Sequence, residues 1–145
     1  MSNRPERESI LFLFNTICRA QRGQLNDALN EIGLYAGQEM VLWQLWREDG
    51  LAQSQMVERM CLQPPTISKM LDRLESTGLV VRRPDADSSR VSRVFLTEHG
   101  RDKERAICDI WIGLEQRMTA NLTLEERVLL RRLLLQVSQN LSGDP

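Results

Sequence analysis

The sequence predicts a mainly α-helical fold with one small β-hairpin, and three observations carry the prediction. Apolar residues recur at steps of three and four along most of the chain, as helices with one covered face require. That period gives way to alternation only once, between about residues 79 and 96. Just before the change, two short helical stretches are separated by a tight break at Cys61, Leu62 and Gln63.

From about Glu6 to Ile32 the positions Ile10, Leu13, Phe14, Ile17, Cys18, Leu25, Ala28, Leu29 and Ile32 trace one face of a long helix, which Gly33 stops. A second, mostly buried helix is expected from about Gly37 to Asp49, with Met40, Trp43, Leu45 and Trp46, ending at Gly50. A short helix from about Gln53 to Met60 follows. The next helix opens on Pro64 and Pro65, where the absent N–H groups cost nothing. Its Ile67, Met70, Leu71 and Leu74 share a face, so Thr66, Ser68, Lys69, Asp72 and Arg73 point elsewhere until Gly78 ends it. LVVRR, the turn-rich PDADSS and RVSRVFL then read as two strands with a long charged tip. Thr97 caps a helix to about Met118, and Thr123 with Glu126 makes a capping box for a last helix to about Leu141.

The 145 residues suffice for one domain that needs no metal or disulfide staple, and 41% apolar with 27% charged residues excludes low complexity. Three scattered cysteines, at 18, 61 and 108, give no disulfide framework. The longest early apolar run, Ile10 to Phe14, is too short for a membrane span or an export signal, so a cytoplasmic protein without a membrane partner is expected. Charge is unevenly placed. Residues 1–51 carry five Arg against seven acids (−2), residues 52–101 eight basic residues against six acids (+2), and residues 102–145 six against seven (−1). A basic middle between acidic flanks suits a nucleic-acid site on a neutral scaffold.

Two short helices joined by a tight break, followed by a basic hairpin, form a winged helix-turn-helix. Its second helix enters the major groove and its hairpin reaches the flanking backbone. The division expected is a winged helix-turn-helix DNA-binding region over 37–100 and a helical dimerisation region over 1–36 and 101–145. The stripe Leu129, Leu130, Leu133, Leu134 and Val137 exceeds what the middle of the chain can cover, and a second copy of the chain is the economical partner.

The stretch LAQSQMVERMCLQPPTISKMLDRLESTGLVVRRPDADSSRVSRVFLTEHGR closely resembles the DNA-binding region of the MarR family of bacterial regulators. The family's DRLE, GLV, R, D-x-R and LT-x-x-G correspond here to Asp72 to Glu75, Gly78 to Val80, Arg82 or Arg83, Arg90, and Leu96, Thr97 and Gly100. The resemblance extends over the whole chain, and it implies a homodimer built from the long first helix and the two last ones. Two positions depart from the pattern. The wing acid falls on Ser88, with Asp87 displaced by one from the place that braces Arg90. Gln63 stands where the family often has a capping serine, which predicts a weaker cap.

On this reading Thr66, Ser68 and Lys69 face base edges, and Arg73, one turn later, faces a phosphate or a base. Gln63, Pro64 and Pro65 bring the amide-rich helix start to the backbone, while Arg82, Arg83, Ser88, Arg90 and Arg93 supply wing contacts. The result is a transcriptional repressor on a pseudo-palindromic operator. Trp43, Trp46, Trp111, Phe12 and Phe14 read first as core. The resemblance nevertheless implies a small-molecule cavity, for which Phe14, Cys18, Trp43 and Trp111 are the candidates, suited to an aromatic or lipophilic effector with Arg19 or Arg22 nearby.

Two other readings compete. A thiol-based regulator of the same fold would use Cys61, in the bend, since the family's peroxide-sensing position falls near Leu11 and Tyr35 is the single tyrosine; otherwise Cys61 is a small buried hydrophobe. A winged-helix module that binds protein instead of DNA is the alternative from another class, and the basic wing counts against it. One histidine, His99, and dispersed cysteines make neither a metal site nor catalytic machinery, so no metal, cofactor or enzyme chemistry is expected.

Overall fold

In a computed structural model that describes residues 9–143, the first helix, α1 (Ile10–Glu31), opens on Ser9, whose hydroxyl accepts the Phe12 N–H. The expected start near Glu6 lies outside the described residues. Gly33, at φ +80°, closes α1 with the Leu34 N–H on the Leu29 carbonyl, the left-handed exit that glycine permits. Helix α2 (Gln38–Arg47) stops two residues before Asp49 because Glu48 is already extended. After β1 (Leu51–Ala52) come α3 (Gln53–Met60), α4 (Pro64–Ser76), β2 (Val80–Pro84), β3 (Ser92–Leu96), α5 (Glu98–Met118) and α6 (Leu124–Ser142).

The sheet has three strands in the order β1-β3-β2, all antiparallel, where two strands are expected from the sequence. β1 is two residues long, too short to show alternation, and it pairs Leu51 with Val94 on the free edge of β3. In β2 and β3 the register runs from Val80 opposite Leu96 to Pro84 opposite Ser92. Asp49 fastens this corner by accepting the Leu96 N–H at 2.8 Å and pairing with Arg101 at 2.5 Å.

The described chain divides into two compact units, one ending at Trp111 and the other beginning at Ile112. In the first, Leu29, Leu42, Leu45, Met56, Ile67, Leu71, Leu74, Val80, Val94 and Ile107 are fully buried, so α1 to α5 and the sheet share one core. Gly100 lets α5 start against β2: a Cβ there would lie 2.1 Å from the Leu79 carbonyl oxygen. The Gly100 carbonyl also accepts the Trp46 indole N–H at 3.2 Å. In the second unit, Thr123 and Glu126 form the expected capping box of α6, which has no buried side chain. No helix among the described residues is long and apolar enough to cross a membrane.

The expectation that the aromatics are core needs correction. Trp46 is half-buried, but Phe12, Phe14, Trp43 and Trp111 are all exposed on the single chain. Helical spacing identifies the stripe to which they belong and does not reveal whether the same chain covers it.

Candidate nucleic-acid interface

Helices α3 and α4 are joined through Cys61, a non-glycine residue in the left-handed region at φ 51° and ψ 37°. This single residue turns the chain tightly enough for α4 to begin three residues later. Cys61 is exposed, against the expectation of a small buried hydrophobe. Gln63 provides no side-chain cap, as its side-chain length predicts, and Pro64 and Pro65 occupy the first turn.

Ile67, Leu71 and Leu74 bury one face of α4, which fixes the opposite face outward. There Thr66, Lys69 and Arg73 are exposed with Gln63, Pro64 and Pro65, while Ser68 is half-buried. The Lys69 side chain has no hydrogen bond or ion pair among the described residues. Arg73 is different: its guanidinium carbon lies 5.4 Å from the centre of the Tyr35 ring.

The wing arginines separate by what holds them. Arg82 bonds to both Glu75, at 2.9 and 3.1 Å, and Asp72, at 2.5 Å, and its N–H donates to Glu75 at 2.9 Å. It therefore clamps β2 to α4, and hydrogen bonds first from its backbone N–H and then from its guanidinium hold the Glu75 carboxyl below the usual range. Arg93 pairs with Asp85 and donates to the Gly50 carbonyl at 2.9 Å. The same Asp85 is lowered first by that bond to Arg93. Arg83 lies over the Phe95 ring at 5.7 Å. Arg90, at the tip, is exposed and has no hydrogen bond or ion pair among the described residues.

These contacts decide the question of the displaced wing acid. The brace is Asp85 to Arg93, closed by the Asp85 N–H on the Val91 carbonyl at 2.8 Å, and not Asp87 to Arg90. Asp87 donates its own N–H to Asp85, and the Ser88 carbonyl accepts the Val91 N–H, so both shape the turn. Asp85 and Glu75 are the residues that sequence reasoning misses. Hairpin register was the available signal, since it puts Arg83 opposite Arg93 and leaves Asp85 next to the closing turn.

Of the candidate effector residues, Trp43 and Trp111 come together with ring centres 6.1 Å apart, and Trp46 stands edge-on to Trp43 at 6.3 Å. Trp43 is 36% and Trp111 40% exposed. Phe14 and Cys18 are exposed on α1, and neither joins this ring cluster. A cavity of about 460 Å³ opens elsewhere, lined by Gln44, Arg47, Glu48 and Arg59, with Arg59 and Glu48 paired at 2.5 Å.

A helix-turn-helix with an outward polar face, followed by a braced basic hairpin, defines the winged-helix class of regulators. Residues 34–92 match the model of the MarR family. The match covers 59 of the 145 residues, so it is in this winged segment that the chain is similar to the MarR family of transcriptional regulators. It is 28% identical over 99 residues to the HTH-type transcriptional regulator YdgJ of Bacillus subtilis (strain 168), which covers 68% of this chain and 60% of YdgJ. Over 64 residues it is 39% identical to the HTH-type transcriptional regulator TtmR of Methylorubrum extorquens (strain PA1), covering 44% of this chain and 33% of TtmR. The chain thus spans less than two thirds of the length of either relative. A mutant MarR from E. coli, in a crystal structure with operator DNA, superposes with a TM-score of 0.80 at 26% identity, over 93% of this chain and 99% of that one.

Proposed function

We propose that the protein binds a pseudo-palindromic operator as a homodimer and represses transcription from it, until an aromatic or lipophilic effector releases it. The observation that carries this reading is the outer face of α4, where Lys69 is exposed without an internal partner beside Thr66 and the proline-opened helix start. A lysine free of carboxylates on a groove-sized helix is suited to a base edge or a phosphate. Arg90 extends the same availability to the wing tip, whereas Arg82 and Arg93 serve as braces that keep the wing in place. Dimerisation is supported by α6, whose Leu129, Leu130, Leu133, Leu134 and Val137 are all exposed on one chain, and by the exposed Ile10 to Phe14 at the start of α1. The exposed faces of Trp43 and Trp111 are the effector surface, and an operator target places the protein in the cytoplasm.

The test is a salt-dependent titration on inverted repeats from the DNA beside its own gene. Lys69→Ala is expected to relax base preference by about 1 to 3 kcal/mol and to leave binding to random DNA nearly intact. Arg90→Ala is expected to weaken binding to every sequence and to lower the salt slope by about one charge per subunit. If both variants match the wild type on operator and random DNA, the DNA reading falls and the protein-binding module replaces it.

A further inference from the structure

The chain holds its interface arginines in two chemically different ways. Arg82 donates to the carboxylates of Asp72 and Glu75, and Arg93 to the Asp85 carboxylate and the Gly50 carbonyl. Arg73 rests on a ring instead, 5.4 Å from the centre of Tyr35. A cation–π contact of this kind holds a guanidinium without engaging its five N–H donors with a carboxylate, which leaves them free for a phosphate. Among the described residues the Arg73 side chain has no hydrogen bond or ion pair.

Tyr35 is itself fixed. Its N–H donates to Gln38 Oε1 at 2.9 Å, and its carbonyl accepts the Gln38 N–H at 3.0 Å; Gln38 is buried. The next residue, Ala36, donates to Asn26 Oδ1 of α1 at 3.0 Å. Gly37 then passes so close to α4 that a Cβ would lie 3.0 Å from Met70 Cε. The loop from Gly33 to Gly37 is therefore tied to α1 and α2 and seated against α4, and Tyr35 is 55% exposed, its ring beside Arg73.

Resting on the DNA-binding reading above, we infer that Tyr35 is a positioning residue of the interface: its ring holds the Arg73 guanidinium with the N–H edge turned to a DNA phosphate, and Tyr35 does not touch the DNA itself. The phenol is not needed for this; the ring face is.

Operator affinity measured on the 145-residue protein tests the inference with a double-mutant cycle. Tyr35→Leu keeps an apolar side chain without a ring and is expected to weaken binding about three- to fivefold, with the unfolding midpoint unchanged. Tyr35→Phe and Tyr35→Trp are expected to restore binding to within about twofold of wild type, because both keep a ring face. Arg73→Ala is expected to reduce the salt slope by about one charge per subunit, and Tyr35→Leu to add nothing in that background. Additive losses, or a Tyr35→Phe defect equal to that of Tyr35→Leu, overturn the inference; the second result would mean that the hydroxyl meets DNA directly. If Lys69→Ala impairs binding while Arg73→Ala does not, the inference fails and the DNA-binding reading stands. A wild-type protein that binds no inverted repeat removes both.

Discussion

In the winged part of the molecule, Leu42, Leu45, Met56, Ile67, Leu71 and Leu74 are buried by their own chain, whereas α6 runs for 19 residues without one buried side chain. Both regions carry apolar residues at helical spacing, and both carry enough of them to drive burial at about 1.5 to 3 kcal/mol per large side chain. The difference teaches that periodicity records a face in need of cover and is silent about what covers it. In α2 to α4 the cover comes from neighbouring elements and the sheet. In α6 the stripe is left exposed on one chain, where the proposed dimer would cover it, and the two regions should therefore fail by different routes when altered.

The largest effect is expected where the covered region is tightest. Gly100→Ala would place a Cβ 2.1 Å from a backbone oxygen, which no side-chain rotation can relieve. We expect a loss of about 3 kcal/mol or more, with the helix start and the Trp46 bond displaced, seen as a lower midpoint in urea unfolding. A midpoint equal to wild type would show that α5 and β2 separate more easily than this packing implies. For the uncovered region, Leu133→Glu is the counterpart: Leu133 is 45% exposed on one chain, so the charge costs little there. At a dimer contact it would be buried without a partner, and we expect sedimentation to shift from dimer to monomer at micromolar concentration, with stability falling alongside. A variant that remains dimeric would move the dimer contact away from this stripe.

The smallest effect concerns Glu39, a carboxylate only 3% exposed at the start of α2. Burial pushes its carboxyl above the ordinary value, against hydrogen bonds from its own and the Gly37 N–H and the charge of Arg22, which pull it down. A raised value in the folded state gives stability that is present below the unfolded value and lost as pH rises through the folded one. Glu39→Gln keeps an acceptor for the Gly37 N–H and removes the titration. Between about pH 4 and pH 7 the unfolding midpoint of the variant should therefore gain on that of wild type. A constant difference across that range would mean that the hydrogen bonds cancel the burial.

How much of this was legible in the sequence depends on the range of the interaction. Helix ends were readable because their determinants are local: Gly33, the prolines at 64 and 65, Thr97, and Thr123 with Glu126 act within one turn. The outward face of α4 followed from the spacing of Ile67, Leu71 and Leu74. The strand β1 was not readable, since two residues carry no period. Neither were the roles of the arginines. Arg82 and Arg83 are adjacent and chemically identical, yet one is clamped by two carboxylates and the other lies over Phe95, a distinction made by strand alternation and by which residues α4 presents across the gap. Gly100 was readable as part of a motif, but its reason, the approach of α5 to the Leu79 carbonyl, exists only in three dimensions.

The tryptophan cluster has a spectroscopic consequence. All three tryptophans of the chain lie in it, with Trp43 about 6 Å from each of its neighbours. At such separations excitation migrates among the indoles faster than it is emitted, so the ultraviolet emission of the whole protein reports one neighbourhood between α2 and the first half of α5. Molecules that settle against Trp43 or Trp111 would quench it strongly, and coupled transitions of the tilted rings would give an intense near-ultraviolet circular dichroism band. Optical titrations can thus follow occupancy at the rings while a separate label on the nucleic acid follows the wing, and the proposed release predicts that the two signals are reciprocally linked.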